Sequence, residues 1–381
     1  MFRGTSRIRD LKVRGCALRC SGQHLFAVPH REVWPDITRR VATNLRAGKE
    51  EMAQIVIGLG TSHSPLVVTE ARMWEQRAIS DRSNRDLYDR DGKRCTYEDL
   101  ERSGRRYERE SALEHLTGQS RAVQGALDRL AAELAAERPD VVMIVGDDQH
   151  ELFDVGNMPA VSIFYGDQAT THTFGQRSIG DPEFMRVLAE GYAMDQHHQF
   201  TCDRELACDL IGRLIEDGID IAVSSRVSAP DTHGFGHAYG FVLKRLMANV
   251  RAPILPVMLN CYYPPNQPTP ARCYAIGRAL RAAIASSKLR RRVAVVASGG
   301  LSHFVTNEDL DRRVLDALAT GHTGDLSRLP VELLNSGSSE IRNWIAVAAM
   351  FEGVKANWSE YLPVYRTVAG TGIGLAFARI L

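Results

Sequence analysis

Three segments set far apart in this 381-residue chain together hold the residue types of a mononuclear metal site. They are Gly60-Thr61-Ser62-His63-Ser64-Pro65, Gly299-Gly300-Leu301-Ser302-His303 and Ser338-Ser339-Glu340-Ile341-Arg342-Asn343-Trp344. Two imidazoles and a carboxylate on one face of an octahedral ion leave positions open for a substrate and for dioxygen, the arrangement of non-haem Fe(II) oxygenases. Each residue also has a plainer reading. His63, in a turn closed by Pro65, is taken alone a hydrogen-bonded turn histidine. Glu340, ahead of apolar Ile341, Trp344 and Ile345, is a first-turn acid facing a helix dipole. His303 follows two glycines that permit close backbone approach; it caps the next helix or acts as a general base with a pKa near neutrality.

Two more clusters are rich in donors. Asp147-Asp148-Gln149-His150-Glu151 follows a buried strand and is dense in possible ligands, against the ordinary reading of a solvated acidic loop. In Asp231-Thr232-His233-Gly234-Phe235-Gly236-His237, either His233 or His237 is expected to line the site and hydrogen-bond bound oxygen or substrate.

These residues need elements to carry them, and the apolar pattern supplies an alternation of strands and helices. Ile55-Val56-Ile57-Gly58-Leu59-Gly60 is a β-branched run ending on glycine, a buried strand. Val123, Ala126, Leu127, Leu130 and Leu134 fall at helical spacing over 120–138, and Pro139 closes that helix before the strand 140–145. Strands follow at 160–165, 219–225, 253–259 and 291–297, and helices at 183–194, 203–216, 238–249 and 271–287. This predicts an α/β fold, one domain with a central, mostly parallel or mixed sheet flanked by helices. Ligands gather at the carboxyl ends of such strands, where His63, residues 147–151, Asn260 and residues 299–303 all lie. Residues 68–119, with Trp74, Tyr88, Tyr97 and Tyr107 among many charges, form an excursion from the sheet that reads as a lid over the cleft or as a surface insertion.

Composition narrows the function classes. A formal charge of +1 gives no global field for nucleic acid or an anionic membrane, so the expected partners are small molecules. Seven cysteines at 16, 20, 95, 202, 208, 261 and 273, with no CxxC pair, argue against a disulfide framework and a structural zinc site. No apolar run approaches the roughly 20 residues that cross a bilayer. A soluble, cytoplasmic protein is expected. Residues 1–51 are arginine-rich and acid-poor, which fits a disordered extension, a targeting peptide or a start codon called too early with Met52 as the true first residue; the catalytic domain is expected over 52–381.

Taken in order, these segments resemble the class III extradiol ring-cleavage dioxygenases of the LigB type, the catalytic-subunit family of protocatechuate 4,5-dioxygenase. The likeness runs from about Ile55 to the end. It is carried by Thr61-Ser62-His63-Ser64-Pro65, residues 140–153, residues 253–260 with Pro264 and Pro265, Arg272-Cys273-Tyr274-Ala275-Ile276-Gly277, residues 299–303, residues 336–344 and Tyr365-Arg366-Thr367-Val368-Ala369. The resemblance implies an enzyme that inserts O2 into a catechol-type ring with ring opening, with His63 and Glu340 binding Fe(II) and His303 as the acid/base histidine.

The family's second metal histidine ends an Asn-Asp-His pattern, and a gapless match from Asp140 to Phe153 puts Gln149 there, with His150 one residue late. A one-residue shift in an extended segment turns a side chain to the other face, so His150 reaches the site only through a bulge or turn. Three outcomes stay open: Gln149 binds through its amide oxygen, His150 swings in, or the site is weakened. A branch resembling 3-O-methylgallate dioxygenases carries Asp-Gln here, together with the stretch matched by Tyr263 to Pro268. Where the family has Asp-His-Gly this chain has Thr232-His233-Gly234. The expected substrates are protocatechuate, gallate or methylgallate-like catechols. The long excursion, standing in for a separate small subunit, implies a self-sufficient homo-oligomer. A zinc hydrolase and a non-catalytic binding protein on the same scaffold are the rival readings.

Overall fold

The computed structural model describes residues 52–174 and 181–381, so the readings of residues 1–51 lie outside the described residues. Four nearly continuous apolar runs form its centre, as strands covered on both faces require. Among the described residues the main sheet has nine strands. In chain order they are β1 (Gln54–Thr61), β2 (Val141–Asp147), β3 (Val161–Phe164), β4 (Ala222–Ser224), β5 (Ile254–Leu259), β6 (Arg292–Ser298), β7 (His303–Val305), β8 (Ala356–Tyr365) and β9 (Thr371–Ile380). Across the sheet the order is β7-β9-β1-β6-β2-β5-β3-β4, with β8 on the other side of β9. The β1–β6–β2–β5 centre is parallel, and β3 joins β5 antiparallel. This is the expected α/β fold with a mixed, mostly parallel centre.

Alternation along β2 shows how the layers are built. Val141, Met143 and Val145 enter one apolar core, and Val142 and Ile144 enter the other. The first core is closed by helices Arg204–Glu216, Pro270–Ser286, Glu308–Thr320 and Ile341–Met350; the second by Leu113–Glu137 and Pro182–Gly191. Every residue of Ile341–Met350 is buried, so that helix crosses the interior rather than the surface. No described helix is long and apolar enough to cross a membrane, and Cys95, Cys202, Cys208, Cys261 and Cys273 are free thiols.

Several elements differ from the sequence reading. The long helix begins at Leu113, not near 120; its first turns are polar, and Leu116 is their one buried apolar side chain. The predicted helix 238–249 is shorter, His237–Phe241 followed by a π turn at Val242–Leu246. Residues 356–380 form an antiparallel pair that the apolar pattern did not reveal. Strand glycines weaken the β signal, and here they are required: a Cβ on Gly374 would collide with the Asp311 carboxylate, and one on Gly372 with the Val364 carbonyl. Within 68–119 the chain forms helices Trp74–Ser83 and Tyr97–Arg102 with a two-strand hairpin between them.

The parallel strands all point the same way, and β1, β2, β5 and β6 end at Thr61, Asp147, Leu259 and Ser298. Most of the donor-rich segments of the chain lie at those four ends and at the N-terminus of the buried helix.

Candidate metal centre

Just past β1, His63 is 1% exposed. Its Nδ1 lies 2.9 Å from Ser298 Oγ at the end of β6. That hydroxyl donates its own proton to the Ala238 carbonyl at 2.6 Å, so it accepts from Nδ1–H. The tautomer is thereby fixed, and the Nε2 lone pair faces inward. There it stands 3.2 Å from Glu340 Oε2 yet has no hydrogen-bond partner among the described residues. A buried ring nitrogen and a buried carboxylate oxygen that are both acceptors need a proton or a metal cation between them.

Glu340 is held by the sequence that precedes it. Residues Ser336–Glu340 make a tight 3-10 turn that runs straight into the buried helix, and the carboxylate swings back over the β6 end. The Gly300 amide donates to Oε2 at 2.6 Å and the Tyr262 hydroxyl to Oε1 at 2.7 Å. Burial raises the carboxyl pKa, but the positive charge that the His63 and then the His303 rings carry when protonated outweighs it and holds Glu340 well below the usual carboxylate range.

His303 lies on the other side of Glu340, its Nε2 3.4 Å from Oε1. Its Nδ1–H donates to the Leu301 carbonyl at 2.8 Å, so its Nε2 too is a free acceptor aimed into the site. Two glycines make room for this ring: a Cβ on Gly300 would lie 2.8 Å from Cε1, and one on Gly337 would overlap Cδ2. Below it, Asp311 takes the Ser302 amide and hydroxyl, each at 2.7 Å, and fixes the turn.

The donor-rich segment after β2 contributes unevenly. Asp147, fully buried, accepts from Asn343 Nδ2 at 3.0 Å; burial and then the Glu340 charge push its pKa up to about 6. The Gln149 amide nitrogen sits 3.4 Å from Glu340 Oε1, 3.5 Å from Asp147 Oδ2 and 3.5 Å from His237 Nε2. His150 has φ of 67° and turns its ring away onto Tyr263, centroid to centroid 3.8 Å. It still lines the cavity without joining the donor cluster.

His237 is brought in and His233 is not. His237 Nδ1 is 2.5 Å from Glu151 Oε1, leaving Nε2 toward Gln149. Burial opposes its charge, but Glu151 prevails and raises its pKa to about 9. His233 pairs instead with Thr232 Oγ1 at 2.8 Å and Asp154 at 3.7 Å, outside the cavity wall. The ligand atoms of His63, Asp147, His237 and Glu340 all lie within 4.8 Å of one another. Asp147 was the member that sequence reasoning left unassigned; its signal was its place as the last residue of a buried strand, on the same face as Gln149.

Above the cluster is a cavity of about 320 Å³, walled by Ser64, Pro65, Tyr192, Tyr262, Phe304 and Ile373 among others. Arg77 and Arg366 reach it too. A larger cleft of about 760 Å³ lies at the opposite, amino ends of the strands, near Asp140, Pro253 and Arg291, and has no part in this chemistry. Buried acceptors on one wall and apolar or aromatic surface on the other suit a flat, oxygen-bearing ring bound beside a cation.

Residues 112–376 match the family model described as "Catalytic LigB subunit of aromatic ring-opening dioxygenase". A 2,3-dihydroxyphenylpropionate/2,3-dihydroxicinnamic acid 1,2-dioxygenase of Rhodococcus sp. is 26% identical over 318 residues, 68% of this chain and 91% of that protein. Its namesake in Azotobacter vinelandii is 25% identical over 311 residues, 66% of this chain and 90% of that protein. Another, in Dechloromonas aromatica, is 22% identical over 309 residues, again 66% and 90%.

Proposed function

The chain belongs to the LigB catalytic-subunit family of aromatic ring-opening dioxygenases and is an extradiol ring-cleavage enzyme; from that premise we propose that it opens a catechol-type ring with Fe(II) held by His63, Glu340 and His237. Asp147 stands beside these three as a further donor, and Gln149 bridges the group through its amide. The observation that carries this reading is the pairing of two acceptors, His63 Nε2 and Glu340 Oε2, 3.2 Å apart with no donor between them. Two imidazoles and a carboxylate are the donors a non-haem Fe(II) centre uses.

When bound, the iron brings the catechol oxygens and dioxygen together and lowers the pKa of a coordinated hydroxyl, as it does for water. The chain's own side chains do the rest. Ser298 and Glu151 hold the His63 and His237 rings so that each turns Nε2 to the site. His303, with Nδ1–H spent on Leu301, has Nε2 free to take a proton from the second ring hydroxyl and return it as the ring opens. Tyr262 donates to the Glu340 oxygen that also faces His303, so the carboxylate is kept ionised and oriented.

The relatives named above act on 2,3-dihydroxyphenylpropionate, and the Asp148-Gln149 pair with Tyr263 to Pro268 resembles the 3-O-methylgallate branch. The substrate proposed is therefore a catechol with an acidic substituent, without a choice between ring-carboxylates and short-chain acids. Purified protein reconstituted anaerobically with Fe(II) is tested in an oxygen electrode against 2,3-dihydroxyphenylpropionate, protocatechuate, gallate and 3-O-methylgallate. Oxygen uptake with a yellow ring-opened product from at least one supports the proposal. Iron bound at one per chain with no uptake from any of the four defeats it.

A further inference from the structure

The cavity has a second polar end, and its charges do not balance. Helix Trp74–Ser83 in the 68–119 excursion presents Arg77 and, one turn later, Asp81. That spacing normally pairs the two. Asp81 is instead taken by Arg366, which donates from Nε to Oδ2 at 2.8 Å and from Nη2 to Oδ1 at 3.0 Å, a two-pronged pair with both partners buried. Arg77 is left with a shielded Nε that has no hydrogen-bond partner among the described residues. Its guanidinium stands 5.8 Å from the centroid of the Phe304 ring.

Two guanidiniums against one carboxylate leave one positive charge in excess at this end. A desolvated cation is costly unless an anion or several acceptors meet it. Burial, and then the Arg366 charge, weaken the hold of Arg77 on its proton, as expected for a guanidinium short of a partner. Phe304 connects this end to the chemistry, since its other neighbour is the His303 ring at 5.4 Å. His303, Phe304 and Arg77 all line the one cavity, so a ring bound beside His303 and against Phe304 can reach the Arg77 guanidinium with a substituent on its far side.

We propose that Arg77 is the specificity-determining residue of this cavity and binds the carboxylate of the substrate as a planar, two-point partner. This rests on the reading of the cavity as a site for an acid-bearing catechol and adds to it the residue that selects the acid over its neutral counterparts. The excursion then contributes a substrate-binding residue to the site as well as covering surface.

The test compares wild type, Arg77→Gln and Arg77→Lys on 2,3-dihydroxyphenylpropionate and on its uncharged methyl ester. Wild type is expected to prefer the acid, and Arg77→Gln to lose roughly 30- to 3000-fold in kcat/KM on the acid, mostly through KM, the range for truncating one partner of a buried charge pair. On the ester the two proteins should agree within about threefold, and Arg77→Lys should recover part of the loss on the acid. Equal losses on acid and ester, or a wild type indifferent to the charge, overturn the inference.

A second arm does not depend on ring opening. Calorimetry with 3-phenylpropionate, which has no hydroxyls, should show binding to wild type and at least tenfold weaker binding to Arg77→Gln. That result with no turnover of any catechol would sustain the carboxylate end while the ring-opening reading fell. Equal affinity of the two proteins, or none in wild type, sinks the carboxylate assignment.

Discussion

His63 and Ser298 share one hydrogen bond of 2.9 Å that joins the end of β1 to the end of β6. Because Ser298 is committed as a donor to Ala238, this contact decides which ring nitrogen of His63 faces the site. Ser298→Ala removes the acceptor and leaves the ring free to change tautomer or rotate. Loss of such an outer partner typically costs 10- to 100-fold in metal affinity. Titration of Fe(II), or of Co(II) as a visible reporter, into the metal-free variant should show that weakening with the melting temperature nearly unchanged. Unaltered affinity would mean that His63 is oriented by something other than Ser298.

Glu340 and His303 are 3.4 Å apart but should fail differently. Glu340→Ala deletes the carboxylate that faces His63 and is expected to abolish metal retention. His303→Ala should keep the metal and reduce turnover by roughly 10²- to 10⁴-fold, the usual contribution of an acid/base group. Metal content by elemental analysis and oxygen uptake on the same samples separate the two; the reverse pattern would exchange the roles.

The parts of this arrangement that the sequence displayed are those a single period dictates. The runs at 55–60, 140–145, 253–259 and 291–297 read as strands because they are short, apolar and bounded by turn residues, as strands covered on both faces are, and the carboxyl ends of such strands are where ligands gather. The β8–β9 pair was hidden because Gly372 and Gly374 answer to Val364 and Asp311, residues distant in sequence. Histidine choice was hidden for a similar reason. His233 and His237 look alike in sequence, and only the position of Glu151 across the fold draws His237 inward. Gln149 turns to the donor cluster and His150 away from it, but β2 ends at Asp147 and His150 takes a φ of 67°, so a turn that no apolar period displays separates the two, not strand alternation.

Asp311 gives a pH dependence away from the cluster donors. Burial raises its carboxyl to about 6, against the favourable pull of the Ser302 and Tyr361 hydrogen bonds. The folded protein therefore holds a proton there that the unfolded chain releases above its ordinary pKa of about 4. The stability from that proton is complete below about pH 4, declines as pH rises, and is gone above about pH 6, a swing of roughly 3 kcal/mol. Asp311→Asn has no such proton. Denaturant melts of both proteins from pH 4 to 7 should show the variant gaining on wild type by that amount across the window and no further above it. Parallel curves would mean that Asp311 does not titrate there.

Gly337 tests how closely His303 is confined. A Cβ at this position would overlap the His303 ring at Cδ2, while on the opposite side Gly300 already stands against Cε1. The ring's open side is the cavity, and moving into it would release Nδ1–H from the Leu301 carbonyl. Gly337→Ala therefore forces either the imidazole or the turn Ser336–Glu340 to shift, and overpacking of this kind costs about 1–3 kcal/mol. If the imidazole gives way, kcat should drop at least tenfold with metal content and substrate KM retained, since a displacement near 1 Å is enough to lose proton-transfer geometry. If the turn gives way, Glu340 moves with it and the metal is lost as in Glu340→Ala. Full activity in a stably folded Gly337→Ala protein would show that the ring has room the packing denies it, and that its position does not set the rate.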